Sequence, residues 1–372
     1  MKYSPTLFLT GATGFIGGAV AARLIRTPKW ANCLFLVRAS TPEGGVSRLA
    51  HVLKSHDVTD ELLEKIRPEQ IICGSLTDVS SWENDPRLLS VVDVISSAAV
   101  ASFGNHPSIW PTNVDGVMAM ARRFNEIGKL RRFLHLGTAM ACGRQAPIPV
   151  PEGYDAGADT DPFLQYTESK YEIERRLRAE FPAWPLVVAR PSIVVGHTRL
   201  GCQPSGSIYW VFRIARALKC FTSDLNQRVD VIPVDYCAKV IHHLIEKPTL
   251  KYTDYHISAG PQRACTFEEI DAAIATAIGE MPMGTSYKVK TFEEIAEMQH
   301  RFKDLLGPCN RRIVLRAIRS YGSFAFMGML FQNDRLIEEG LDLPPPLTSY
   351  AGLCQKTSHN QLISEQMKFD YK

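Results

Sequence analysis

The chain has 372 residues, 45% hydrophobic and 22% charged, an ordinary globular balance with room for one large domain and a smaller one. Its formal net charge of +3 is spread without a basic block, which gives nucleic-acid binding no support. The nine cysteines form no C-x-x-C pair, so neither a zinc site nor a disulfide framework is indicated, and a reducing cytoplasm suits them best.

The opening MKYSPTLFLTGATGFIGGAVAARLIR is apolar but broken by glycines and by Arg23, so neither a signal peptide nor a membrane span is expected. TLFLT (6–10) reads as a first strand, then a turn, then a helix over about 15–26. Between them TGATGFIGG places Gly11, Gly14 and Gly17 where a tight turn would let backbone approach a pyrophosphate at a helix N-terminus. The spacing alone is weak evidence; its place after the first strand and before a helix makes dinucleotide binding the expectation. CLFLVR (33–38) is the second strand, and its end should lie beside the adenosine ribose. There the chain offers Arg38, then Arg48 on the next helix, with the first acid, Glu43, five residues past Arg38. A guanidinium fork suits a phosphate dianion, which favours NADPH over NADH; the alternative is a surface Arg38 and either cofactor.

Further apolar runs follow at EQIICGS (69–75), VVDVISSA (91–98), RRFLHLG (131–137) and PLVVAR (185–190). Short runs rich in Val, Ile and Leu, separated by helices, predict a parallel sheet buried on both faces. The expected fold is α/β, a Rossmann-type doubly wound sheet over 1–190 with sheet-completing segments near 229–260. A smaller, mostly helical substrate-binding region is expected over 191–372. In QYTESKYEIERRL (165–177), Tyr166 and Lys170 are one helical turn apart, so an ammonium could favour phenolate and lower the tyrosine pKa. The same spacing suits an ordinary amphipathic helix.

Helices are expected at 207–219, 235–247, 266–279 and 291–305, with a strand at DYHISA (254–259) joining the sheet edge. TFEEI occurs twice, at 266–270 and 291–295, and reads each time as a capping box. SYGSFAFMGMLF (320–331) is apolar without a clear period: core packing, a pocket wall or cover, or a membrane contact. The substrate pocket is expected beyond about 190, with Tyr209, Trp210 and Phe212 as apolar walls; Arg213 and Arg216 keep a nucleotide-sugar ligand in play. His242 and His243 lack ligand spacing and read as packing residues, Asp235 as a helix N-cap, and Cys142 as a small buried hydrophobe.

TGATGFIG, NVDG (113–116), LGTAMACG (136–143), YTESK and ARPSIVVG (189–196) appear in the order and spacing of one family. Over about residues 6–260 the chain resembles the extended short-chain dehydrogenase/reductases. The resemblance implies that Tyr166 transfers a proton, that Lys170 perturbs it and holds the nicotinamide ribose, that Thr138 hydrogen-bonds the substrate oxygen, and that Asn113 supports a proton relay. It implies cofactor contacts at Gly11, Thr13, Gly14, Phe15, Ile16, Gly17, Arg38, Arg48, Ser75, Leu76, Ala98, Ala99, Lys170, Pro191 and Ser192. Ser75 stands where family members commonly carry an acid. LVRAS with SRL (47–49), DVIPVDYCAKVI (230–241) and QNDRLIEEGLDLPPPLTSYAGL (332–353) look like the thioester-reductase and fatty-acyl-reductase subgroup.

The expected activity is NADPH-dependent, metal-free reduction of a carbonyl-level carbon, an acyl thioester or a ketone, in an apolar small molecule. No adenylation or carrier domain accompanies the chain, so a thioester is expected from a carrier protein or on coenzyme A. One alternative is a nucleotide-sugar epimerase or dehydratase. Another is a non-catalytic NADP-sensing protein, which retention of Tyr166 and Lys170 disfavours.

Overall fold

Strands covered on both faces need side chains that are apolar on both, and LFLT, CLFLV, RFLHL and LVVARP meet that condition almost throughout. In the computed structural model, which describes residues 6–367 apart from 103 and 158–160, these runs build a seven-stranded parallel sheet. The first five residues of the apolar opening stretch lie outside the described residues. The strands are β1 (Leu7–Thr10), β2 (Cys33–Val37), β3 (Ile71–Cys73), β4 (Asp93–Ser96), β5 (Arg132–Leu136), β6 (Leu186–Pro191) and β7 (Asp254–Ile257). Their spatial order is β7-β6-β5-β4-β1-β2-β3, every pair parallel, with the reversal of winding between β1 and β4. Ligands of such sheets bind outside the carboxyl ends of the strands at that reversal.

Helices α1 (Phe15–Leu24), α2 (Pro42–Ser55) and α6 (Val234–Glu246) cover one face, sharing a core with Leu7, Leu9, Leu134 and Leu136. Helices α3 (Gly116–Ile127) and α4 (Gln165–Glu180) cover the other, packing on Phe8, Val94, Phe133 and Val188. Side chains alternate along a strand, so His135 and Gly137 face α4 together with Phe133. The expected strand at 254–259 does join the edge, beside β6.

A separate core gathers α5 (Tyr209–Leu218), α7 (Phe267–Ile278) and α9 (Arg311–Met327), with Trp210 edge-on to Tyr321 at 5.0 Å. Both TFEEI copies form reciprocal capping boxes, opening α7 and α8 (Phe292–Glu297). The single helix expected over 291–305 is instead three short pieces, the middle one, Met298–Arg301, wound as 3-10. Residues 320–327, aperiodic to the eye, continue α9, and Phe324, Met329 and Phe331 pack on Ala139, Met140, Cys142 and Phe163. This segment therefore covers the turn after β5. Asp235 is not the N-cap of α6: Pro233 holds that place, its fixed φ suiting a helix start. The Asp235 carboxylate instead accepts from Thr198 N at 3.0 Å and Thr198 Oγ1 at 2.6 Å, pinning the loop that follows β6. No described helix is long and apolar enough to cross a membrane.

Candidate active site

Glycine sets how closely α1 approaches the end of β1. Gly11 has φ +78°, and a Cβ there would lie 2.7 Å from Ala98 N. A Cβ on Gly17 would lie 2.2 Å from Gly11 O, so the helix enters this close only without a side chain. Thr10 Oγ1 accepts from Ser97 N and Ala98 N, both at 3.1 Å, and so draws the ends of β1 and β4 together; Ala98 and Ala99 remain partly open. No side chain caps α1 at Gly14 and no acid stands in its first turn, which starts at Phe15 and Ile16. Thr13 and Gly14 lie on the open rim. An uncapped, positive helix end behind a turn with no Cβ in the way fits a pyrophosphate.

At the end of β2, Arg38 is exposed, and Arg48 of α2 donates to its carbonyl oxygen. Neither guanidinium is ion-paired with an acid among the described residues, so both are available to a phosphate. Ser75 is held in a turn, its Oγ 2.8 Å from Thr77 Oγ1 and its carbonyl accepting from Trp82 Nε1. The Leu76 side chain is buried in the core under α3, which leaves only its backbone for a cofactor. Leu76 O also explains the glycine of NVDG: a Cβ on Gly116 would come within 2.1 Å of it.

Asn113 is wholly buried in one π-helical turn, Pro111–Asp115. Its Oδ1 accepts from Val100 N at 2.8 Å, and its Nδ2 donates to Val100 O at 3.1 Å and Ser169 Oγ at 3.0 Å. Asn113 thus ties the loop after β4 to α4 at a residue between Tyr166 and Lys170. Lys170 is only 2% exposed and donates from Nζ to Leu136 O at 2.6 Å, two residues before Thr138. Thr138 Oγ1 accepts from Met140 N at 3.4 Å, capping a 3-10 turn over Ala139–Cys142. Pro191 and Ser192 are buried at the end of β6, where Ser192 N donates to Ile257 O.

The electrostatics depart from the sequence expectation. Burial pushes the Tyr166 phenol up to about 12 rather than down, while the Lys170 ammonium is directed to Leu136 O. Burial also lowers Lys170 to about 8, opposed by the charge of Glu174. The Tyr166 side chain as a whole stays partly open. Cys142 is buried, its thiol pushed up to about 12.

Residues 9–241 match the NAD-binding family described as male sterility protein. The chain belongs to that family. A non-canonical nonribosomal peptide synthetase of Aspergillus hancockii is 27% identical over 319 residues, covering 80% of this chain and 30% of that protein. An aldehyde reductase of Aspergillus flavus is 26% identical over 307 residues, 76% of this chain and 28% of that one. The chain thus spans less than a third of either relative. Among solved structures, the terminal R domain of the myxalamid PKS-NRPS pathway superposes with a TM-score of 0.78, covering 97% of this chain and 92% of that one at 18% identity, a likeness of fold.

In this member of the male sterility family, a cleft of about 340 Å³ is lined by Trp110, Met140, Ala141 and Pro162 and by Thr167, Glu168, Tyr171, Glu172 and Arg175 of α4; none of Asn113, Thr138, Tyr166 and Lys170 borders it. Its α4 residues lie across that helix from Tyr166 and Lys170. Tyr209 and Trp210 are core residues, the Tyr209 hydroxyl donating to Ala351 O. Phe212 lines a separate apolar cavity of only about 30 Å³. Arg213 donates to Gln361 O and Gln366 Oε1, and Arg216 pairs with Asp271 and Glu280, so neither is free for a sugar diphosphate. His243 Nε2 lies 3.1 Å from Glu339 O, a packing role, and no metal-holding cluster exists among the described residues.

Proposed function

We propose that the chain is an NADPH-dependent reductase acting on a carbonyl-level carbon, an acyl thioester or aldehyde, of a small apolar metabolite. The observation that carries this reading is the convergence of Asn113 and Lys170 on the Tyr166 turn and on the strand end that leads into Thr138. The bound nicotinamide would supply the hydride; the protein has to place the carbonyl and handle the proton.

Tyr166 donates its proton to the oxygen that becomes negative as the carbonyl is reduced, and its high pKa keeps that proton in place until a charge appears. Thr138 hydrogen-bonds the same oxygen. Lys170, held to Leu136 O, offers a positive charge toward the nicotinamide ribose. Gly11, Gly14 and Gly17 with the start of α1 hold the pyrophosphate, while Arg38 and Arg48 take the 2′-phosphate. The name of one fungal relative, an aldehyde reductase, supports an aldehyde as substrate, and that of the other, a nonribosomal peptide synthetase, supports a thioester carried by another protein or on coenzyme A. The test is a reaction of purified protein with NADPH and a panel of acyl and aryl thioesters, aldehydes and ketones. Stoichiometric NADPH oxidation with a reduced product supports the reading; isomerisation of a nucleotide sugar without net NADPH consumption overturns it.

A further inference from the structure

Below the Tyr166–Lys170 turn runs a buried chain of charges with no part in the scheme above. Glu174 stands one helical turn beyond Lys170 on α4, so both side chains leave the same face of the helix, and they are 4% and 2% exposed. Arg190 of β6 donates from Nε and Nη2 to Glu174 Oε2 at 2.9 and 2.6 Å. Its Nη2 also meets Asp254 Oδ1 of β7 at 3.1 Å, and the same oxygen takes Arg178 Nη2 at 2.5 Å. The second carboxylate oxygen, Glu174 Oε1, accepts no hydrogen bond among the described residues. It lies where a Cβ on Gly137 would come within 2.2 Å. Gly137 is joined by one peptide bond to Leu136, whose carbonyl oxygen accepts the hydrogen bond from Lys170 Nζ. The unused carboxylate oxygen and the ammonium therefore approach one peptide unit, and Gly137 supplies the space.

A buried ammonium with a single neutral acceptor is strongly disfavoured unless a counter-charge lies near. The titratable and charged groups around Lys170 are Tyr166, Glu174 and Arg178 of α4, His135 of β5, Cys142 of the next turn, Arg190 of β6 and Asp254 of β7. His135 is neutral, because burial holds it well below its ordinary range, and the Tyr166 and Cys142 protons are retained to about 12. Arg178 and Arg190 repel an ammonium, and Asp254 is engaged by both. That leaves Glu174 as the available counter-charge among the described residues.

We propose that Glu174 is a positioning residue that keeps Lys170 an ammonium inside the sheet edge, with Arg190 and Gly137 placing its carboxylate. The mechanistic half rests on the reductase reading; the electrostatic half stands without it. The first experiment needs no cofactor: the carbon-13 shift of Lys170 Cε, assigned by its disappearance in Lys170→Arg, is followed through pH in the parent and in Glu174→Gln. Glutamine keeps the shape and still offers an oxygen to Arg190. The Lys170 midpoint, about 8 in the parent, should fall by about one unit or more, the scale of a neighbouring opposite charge; an unmoved midpoint overturns the proposal. Should the glutamine variant fail to fold, Glu174→Asp keeps the charge and should hold the midpoint within about half a unit, and a full-unit fall there is equally fatal. In turnover, the alkaline limb of kcat/KM should move down with Lys170, leaving Glu174→Gln about fivefold or more slower at pH 8 and close to the parent near pH 6. A deficit equal at every pH would show a packing role instead. If the Lys170 midpoint moves while no carbonyl substrate oxidises NADPH, the counter-charge role stands and the reductase reading falls.

Discussion

Gly17→Ala isolates the demand that the cofactor places on the β1–α1 turn. The new Cβ would sit 2.2 Å from Gly11 O, 2.6 Å from Gly11 C and 3.2 Å from Ala12 N, all backbone atoms of the turn itself. Relief requires the strand end and helix start to part by more than 1 Å, since ordinary contact begins at about 3.4 Å. Overpacking of this kind costs about 1–3 kcal/mol, and replacing a helical glycine by alanine returns about 1 kcal/mol, so the net loss of stability should be about 0–2 kcal/mol. Cofactor binding should suffer more, because the displaced atoms belong to the turn that cradles the pyrophosphate. Losing one or two charge-assisted hydrogen bonds at about 1.5–3 kcal/mol each predicts a dissociation constant raised at least tenfold. The control is Gly18→Ala, whose Cβ meets the movable Val52 Cγ1 at 2.6 Å on the side of the helix that packs on α2. Urea unfolding and NADPH titration by fluorescence on both variants provide the comparison. If Gly17→Ala binds NADPH within twofold of the parent, or if both variants weaken binding equally, the turn is not the pyrophosphate cradle.

Arg38→Ala should weaken NADPH by about tenfold or more and spare NADH, the loss of one charge-assisted bond; equal loss of both cofactors would remove Arg38 from the 2′-phosphate. Tyr166→Phe should keep NADPH affinity and lose about 10²–10⁴-fold in turnover, and a rate within threefold of the parent would end its role as proton donor. Glu152 accepts from His256 N and Arg335 N, yet burial raises its carboxyl to about 7. A raised acid stabilises the fold fully below its unfolded value and loses that contribution as pH rises through about 7. The thermal midpoint should therefore decline between about pH 4.5 and 7 in the parent and flatten in Glu152→Gln, as followed by circular dichroism.

The sheet was legible because its strands have one period and one composition, and the TFEEI helix starts because capping chemistry is local. The Tyr166–Lys170 turn was legible as spacing, but its electrostatics were not. Sequence places the two residues on one face, whereas the direction of the ammonium is set by Leu136 O, 34 positions away. Tyr209 and Trp210 were misread as pocket walls because a buried aromatic looks the same in sequence whether it faces a ligand or Tyr321 and Ala351. Asp235 showed the right residue type for a cap, but its partner, Thr198, is close only in space. Glu174 and Gly137 had visible signals, an acid one turn after Lys170 and a glycine before Thr138, whose meaning depends on their meeting across the sheet.

The late arrival of β7 carries a consequence for how the molecule is made. The chain leaves the sheet at Pro191, builds α5 and α6, and only then returns to lay Asp254–Ile257 against β6. During synthesis β6 is therefore an open edge, with unpaired backbone groups available to any other extended segment. Asp254, the residue that starts the closing strand, is also the one that engages Arg178 and Arg190. A chain ended after residue 190 would emerge with a sticky sheet edge and with two arginines under α4 lacking their outer anion. Anchoring of the two arginines under α4 is thus tied to completion of the sheet.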